Sequence, residues 1–488
     1  MEPENKQITI ERECRLMSTI DYKETIPNNV NLSGDRRLQR ALEKWQPAFL
    51  NWWDELGPEA SANHEIFLRT AIDVSPKGWA HFDMVKMPEY RWGIFLAAEE
   101  EERKIGFGQH KGENAWQEVP GEYRSELRRL IVTQGDTEPA SVEQQRLLGL
   151  TCPSLYDLRS LFQINVEEGR HLWAMVYLLH AYFGRDGREE AEEMLMRHAG
   201  DEDKPRILEA FNVPTKDWLS FFMFTFFQDR DGKFQLSSLA ESGFDPLSRS
   251  CRFMLTEEAH HMFVGENGLG RVVLRSAQLS ADNDTLEIQK YGGIPLPMIQ
   301  KWMNFHFSIC LDLFGQEKST NAANFYTMGL KGRYMENKID DDHLLENDSF
   351  LIPEFKNGKV MMNEVSALTS INERLRNDYR DDCQRGVDRW NKIISEAGIE
   401  YSLTLPHTAF NRNIGTFRNM YFTPEGRPIS KEKFENQRNT WMPSAADREF
   451  VMSLMVPVTN PGEMAGWLTA PSRGIHGKDI GYEYVRLH

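Results

Sequence analysis

Apolar and polar positions change rhythm three times along the chain. Over the first 130 residues, helical stretches alternate with Trp-rich segments punctuated by Pro and Gly, such as LNWWDELGPE and DVSPKGWAHFDMVKMPEYRWG. From about Ser125 to Leu345 a 3.6-residue apolar period recurs in ELRRLIV, SLYDLRSLFQI, HLWAMVYLLHAYF, DWLSFFMFTFF and CRFMLTEEAHHMFV, with Gly or Pro between many of them. This spacing predicts a helix bundle. A further long helix is written in SALTSINERLRNDYRDDCQRGVDRWNKIISEAG. Leu368, Ile371, Leu375, Tyr379, Val387, Trp390 and Ile393 trace its apolar face, and Gly398 marks its end. Beyond it, TFRNMYFTPEGRPIS reads as a short strand and turn inside a mixed, irregular region. No repeat of fixed period and no low-complexity tract is present.

The expected architecture is mainly α: an N-terminal extension (1–16), a cap region (17–124), a helical core (125–345), and a C-terminal helix with mixed irregular structure (346–488). With 488 residues and 40% hydrophobic content, the chain has the means to bury a sizeable core. Its longest strongly apolar run, Leu219 to Phe227, is far below the ~20 residues that span a membrane. The N-terminus MEPENKQITIERECRL has no apolar core of a secretory signal, so a cytoplasmic location is expected. Five cysteines are scattered singly, which suits reduced thiols and offers no iron–sulfur or thiolate zinc site. A formal net charge of -17 argues against nucleic-acid partners.

Chemistry concentrates in two helical segments. In NVEEGRHLWAMVYLL, Glu168 and His171 lie three apart, about 60° apart around a helix. They share a stripe with Leu161, Ile164, Leu172, Met175 and Leu179, whereas Glu167 and Arg170 lie on a more polar one. A carboxylate facing the core is costly unless it is paired or coordinates a metal. The second segment, MLTEEAHHMFVGE, offers Glu257/His260 and Glu258/His261. The latter shares its face with Met254, Leu255, Met262 and Gly265 and is preferred, which leaves Glu257 or His260 to hold a ligand imidazole through its other nitrogen.

One Glu-x-x-His is weak evidence, because the spacing arises by chance. Two in one bundle match carboxylate-bridged two-metal sites, which add one acid from each of two further helices. Before the second motif, LSFFMFTFFQDRDGKF supplies Asp229, on the stripe of Phe222, Thr225 and Phe226. Asp231, just before Gly232, reads as a solvated helix end. Before the first motif, TQGDTEPASVEQQRLLG offers Asp136, Glu138 and Glu143. Pro139 suits a helix start or kink that turns Glu138 inward, and spacing leaves Glu138 and Glu143 open. His64, His81, His110 and His180 have no acid-bearing helical partner and read as structural or surface groups, and the Trp and Phe stretches read as core. GENGLG at 265–270, taken to follow a helix, and GFGQHKG at 106–112 do not match a dinucleotide fingerprint, and no P-loop or nucleophile elbow is present. No flavin or nicotinamide is therefore expected on this chain.

The runs TQGDTEPASVEQQR, NVEEGRHLWAMVYLLHAYFGRDGR, SFFMFTFFQDRDGKFQ and MLTEEAHHMFVGE closely resemble the BoxB family, the oxygenase components of benzoyl-CoA 2,3-epoxidases, from about Met17 to the C-terminus. The resemblance implies a ferritin-like di-iron fold, with two iron ions and O2 used to convert benzoyl-CoA to its 2,3-epoxide in benzoate breakdown. It also implies a partner reductase, BoxA, that carries FAD and iron–sulfur clusters and takes electrons from NADPH. By motif, Glu138, Glu168 and His171 would hold one iron and Asp229, Glu258 and His261 the other. The family's interval of about thirty residues between the first acid and its motif favours Glu138 over Glu143. Gln134 and Asn165, each one turn before a proposed ligand, are candidate substrate contacts. Arg124, Arg128, Arg129, Lys331 and Arg333 are candidate partners of the CoA phosphates. Two alternatives follow from the same residues: oxygenation of another aryl-CoA thioester such as phenylacetyl-CoA, or a ferritin-like metal protein that never oxygenates carbon.

Overall fold

The computed structural model describes residues 24–68, 85–86, 92–472 and 485–487. The expected N-terminal extension, most of the DVSPKGWAHFDMVKMPEYRWG segment, Cys14 and His81 lie outside them. The helices are α1 (Arg36–Leu56), α2 (Arg124–Gly135), α3 (Thr137–Gln145), α4 (Leu155–Tyr182), α5 (Gly184–Met196), α6 (Trp218–Leu239), α7 (Asp245–Asn283), α8 (Leu296–Leu311), α9 (Thr320–Thr327), α10 (Ile371–Glu396), α11 (Lys431–Trp441) and α12 (Ala445–Ser453). The molecule is thus mainly helical, as the periodicity predicts. Among the described residues, no helix is long and apolar enough to cross a membrane.

Helix α4 is the axis of the bundle. Ser154 caps it by accepting from Asp157 N, and every residue from Asp157 to His180 is buried. A helix buried all round has no outward stripe, so α3, α6 and α7 can each present polar groups to it from different sides. Helices α6 and α7 pack along one another because Gly265 and Gly268 remove the side chains that would hold them apart. A Cβ at Gly265 would stand 2.4 Å from Phe226 N, and one at Gly268 would stand 2.2 Å from the Phe222 ring. GENGLG therefore continues α7 and does not follow a helix. Likewise α6 does not end at Asp231. It runs on to Leu239, because Phe234, Leu236 and Leu239 are buried and carry it past Gly232.

Around this core, Trp45, Trp52, Trp53 and Trp92 of the N-terminal region pack with Phe49 and with Trp173 of α4. Helix α10 starts later than the predicted span, with Ser366 ending a strand and Leu368 in a short 3-10 turn before it; it buries Leu375, Tyr379, Val387 and Trp390 and stops before Gly398 at φ +75. The C-terminal region contains the predicted strand and turn as β5 (Tyr421–Phe422) paired with β6 (Pro428–Ile429). It also contains a hairpin not anticipated from periodicity, β3 (Ser349–Lys356) with β4 (Lys359–Ser366), turned by Asn357–Gly358, both at positive φ. That Asn-Gly pair between alternating residues was its signal. Strand β1 (His64–Leu68) pairs with β2 (Val85–Lys86) on one side and β7 (Val485–Leu487) on the other, which ties the N-terminal region to the end of the chain.

Candidate metal centre

Four elements deliver six side chains to one buried point. Gly135 ends α2, and α3 begins at Thr137 with Pro139 at its third position, so the bend at Asp136 aims Glu138 at α4. Glu168 and His171 come from α4, Asp229 from α6, and Glu258 and His261 from α7, each no more than 6% exposed. His171 Nδ1 lies 3.3 Å from Glu138 Oε2, 3.5 Å from Glu168 Oε2 and 3.7 Å from Glu258 Oε1. His261 Nδ1 lies 3.4 Å from Glu258 Oε2, 3.7 Å from Glu168 Oε1 and 3.9 Å from Asp229 Oδ2. Glu168 and Glu258 therefore each turn one oxygen to either histidine. Glu138 and Asp229 stand at opposite ends.

The imidazoles are oriented from outside the cluster. His171 Nε2 is 3.1 Å from Glu257 Oε2, and His261 Nε2 is 3.1 Å from Glu167 Oε2. The Nδ1 atoms of both, with Asp229 Oδ2 and Glu258 Oε2, make no hydrogen bond among the described residues. Buried polar atoms without partners are costly. The six donors converge, four of them with such an unpaired atom, and the set could hold cations. A proton held at each Nε2 by a carboxylate leaves Nδ1 as the lone-pair donor. Four carboxylates carry a charge that two divalent cations would balance, and mixed carboxylate and imidazole donors suit iron.

The electrostatics agree with this crowding. Burial pushes Glu168 and Asp229 well above the usual carboxylate range, with carboxylate neighbours adding to the shift. Burial acts the same way on Glu138, but the His171 imidazole 3.3 Å away brings it below its ordinary value. Burial opposes charge on His171 and His261, yet their acceptor carboxylates push both upward. Acids this close coexist only when positive charge, as protons or metal cations, lies among them.

Glu143, left open against Glu138, faces elsewhere. It accepts from Trp52 Nε1 at 2.8 Å, Ala199 N at 2.7 Å and Arg206 Nη2 at 2.6 Å. Asp136 is likewise occupied by Arg197 and Arg206. Glu167 and Arg170, on the more polar stripe of α4, are buried as well, because α4 has no solvated side. One reading needs correction. Asp231 is 4% exposed, with burial pushing it up to about 7, and it accepts from Gln235 at 2.9 Å within the continuing α6. Among the other histidines, His64 bonds Ala60 O, His180 bonds Val176 O, and His110 contacts Tyr123.

A cavity of about 370 Å³ opens beside the cluster. Gly232 forms part of its wall, and a Cβ placed there would come within 3.9 Å of Glu258 Oε2. Gln134 also lines it while its amide donates to Glu138 Oε1 at 2.9 Å. Leu130, Phe211, Leu313, Phe314 and Phe325 give it apolar walls. Its volume falls within the range of small-molecule sites. Asn165 is not on this cavity; it donates to Gln145 Oε1 at 2.8 Å and ties α4 to α3. Of the basic candidates, Arg129 and Lys331 line the cavity, with the Arg129 guanidinium 5.1 Å from the centroid of the Phe325 ring. Arg124 is spent on Tyr182 O, Arg128 on Asp186, and Arg333 on Glu336 and Asp341.

No family model matches the chain. Among curated proteins it is 59% identical over 472 residues to benzoyl-CoA oxygenase component B of Aromatoleum evansii, across 96% of this chain and 100% of that protein. At that identity and coverage, the chain belongs to the benzoyl-CoA oxygenase component B family.

Proposed function

We propose that this chain is the oxygenase component of a benzoyl-CoA 2,3-epoxidase, with a ferritin-like arrangement of helices around two irons. The observation that carries the reading is the contact between cavity and cluster. A cavity of about 370 Å³ with a partly aromatic wall meets a set of six converging carboxylate and imidazole donors at Gly232 and Gln134, in a chain 59% identical to a protein named for oxygenating benzoyl-CoA.

Glu138, Glu168 and His171 would hold one iron and Asp229, Glu258 and His261 the other, with Glu168 and Glu258 placed to reach both. When bound, the irons supply reductive activation of dioxygen. The residues of the chain do the rest. Glu167 and Glu257 fix the imidazole orientation, so Nδ1 stays available. The wall of Phe211, Phe314 and Phe325 offers the aryl ring an apolar seat in the cavity that Gly232 also lines. Gln134 restrains Glu138 through its amide, which also donates to Thr137 Oγ1 at 3.3 Å. Epoxidation of benzoyl-CoA by O2 consumes two electrons and two protons and releases water. The chain binds no flavin or nicotinamide in this reading, so NADPH electrons arrive through a separate reductase of the BoxA type. The relative's designation as component B is in keeping with such a division.

The test supplies the purified iron-loaded chain with a matched reductase, NADPH, benzoyl-CoA and isotopically labelled dioxygen. One labelled oxygen atom in a benzoyl-CoA-derived product is expected. Release of peroxide alone would sink the proposal in favour of a metal protein without oxygenase activity. Labelling of phenylacetyl-CoA but not benzoyl-CoA would move the activity to another thioester.

A further inference from the structure

Lys331 has no part in the reading above, yet its surroundings are unusual for a lysine. It follows α9 in a turn tied to the rest of the bundle by Gly332 N donating to Ser238 O at 3.0 Å. Its ammonium donates to Gln235 Oε1 at 2.6 Å, and no ion pair within 4.0 Å involves it among the described residues. An ammonium carries three N–H donors, and the bond to Gln235 uses one of them. The turn nevertheless keeps it in the wall of the cavity. Burial brings Lys331 down to about 8, against the opposing pull of Asp231. Such a group is built to gain an acceptor from whatever enters.

Position decides which acceptor. Lys331 bonds Gln235, which in turn donates to Asp231, the neighbour of Gly232, where an added Cβ would stand 3.9 Å from Glu258 Oε2. Lys331 therefore shares the cavity with the stretch of wall that meets the cluster. In an aroyl thioester the carbonyl carbon is bonded to ring C1, next to the C2–C3 bond. The phosphates of coenzyme A lie a whole pantetheine arm away. We propose that Lys331, anchored by Gln235, donates a hydrogen bond to the thioester carbonyl and thereby sets the position of the ring and the preference for an acyl substrate. The inference rests on the benzoyl-CoA reading of the cavity. Lys331 is a positioning and specificity residue that fixes which ring edge faces the cluster.

The experiment compares equilibrium binding of benzoyl-CoA, S-benzyl-CoA, in which a methylene replaces the carbonyl, and free coenzyme A to the full chain. The wild type is expected to bind benzoyl-CoA about 10- to 100-fold more tightly than S-benzyl-CoA, the range of a charge-assisted hydrogen bond. Lys331→Met should bring that ratio close to one with S-benzyl-CoA affinity little changed, and Lys331→Arg should restore part of it. A wild-type ratio near one overturns the inference without any variant while leaving the substrate reading intact. Equal losses for all three ligands in Lys331→Met also overturn it, because they mark a phosphate contact or a general structural role. Failure of the wild type to bind benzoyl-CoA at all would instead remove the substrate reading on which the inference stands.

Discussion

The carboxylate of Glu257, on α7, accepts from Nε2 of His171, on α4, at 3.1 Å. The reciprocal bond, from His261 on α7 to Glu167 on α4, has the same length. Each helix therefore contributes, from adjacent glutamates, one carboxylate to the cluster and one support for the other helix's imidazole. Glu167→Gln removes the acceptor charge while keeping the shape. It is expected to weaken metal retention about 10- to 100-fold, the usual effect of losing such a support, with helical content unchanged. Iron remaining after dialysis against a chelator measures this, and wild-type retention would refute the supporting role.

Glu257→Gln should differ from Glu167→Gln in stability. Glu257 also takes the side chain of Arg170, which is 1% exposed. Removing one partner of a buried ion pair costs about 3–5 kcal/mol, because the other charge stays behind. The thermal midpoint of Glu257→Gln should fall well below that of Glu167→Gln. Equal midpoints would show that Arg170 does not depend on Glu257.

Much of this centre is legible in the chain because Glu-x-x-His spacing fixes relative direction on any helix. Glu138, Glu168, His171, Asp229, Glu258 and His261 all arrive at one point. The support that Glu167 gives His261 was not legible in spacing, because it depends on α7 packing against a side of α4 that does not meet water. Asp231 was misread because its next neighbour is Gly232, which acts as a helix end only where nothing packs beyond it. Here Phe234 and Leu236 are each 1% exposed and hold the helix together. The cavity could not be read from sequence at all, since α2, α6, α9 and the turn at Lys331 meet only in three dimensions.

Two glycines on adjacent helices should respond with opposite signs. Gly265→Ala places a methyl 2.4 Å from Phe226 N, so backbone must move, with an overpacking cost of about 1–3 kcal/mol. Gly232→Ala meets nothing nearer than Glu258 Oε2 at 3.9 Å and replaces a mid-helix glycine, for a gain of about 0.5–1 kcal/mol. Denaturant midpoints of the two variants check this. Destabilisation by Gly232→Ala comparable to that of Gly265→Ala would contradict the open wall.

His306, on α8, titrates in the opposite direction from the cluster histidines. Burial, reinforced by the charge of Arg448, brings it down to about 3. Its unfolded value is about 6.5, so its neutral form is favoured in the folded chain. The associated stability is complete above pH 6.5 and is lost as pH falls toward 3, by up to about 1.4 kcal/mol per pH unit. His306→Phe should lose less stability than the wild type between pH 6.5 and 4.5. Parallel pH profiles would show that His306 does not contribute.

Cys152, Cys251, Cys310 and Cys383 are buried, and burial pushes the Cys152 and Cys383 thiols up to about 12. In a Cys14→Ser background, a thiol-reactive disulfide reagent is expected to label none of them in the native protein and all four in denaturant. Rapid native labelling of any would contradict the packing around α4, α7, α8 and α10.

The most direct measurement is metal stoichiometry of the purified chain together with that of Glu168→Ala, since Glu168 turns one oxygen toward each histidine. The account predicts two irons per wild-type chain and loss of both in Glu168→Ala with helical signal preserved. Absence of stoichiometric iron in the wild type, or full iron retained without the Glu168 carboxylate, would contradict it.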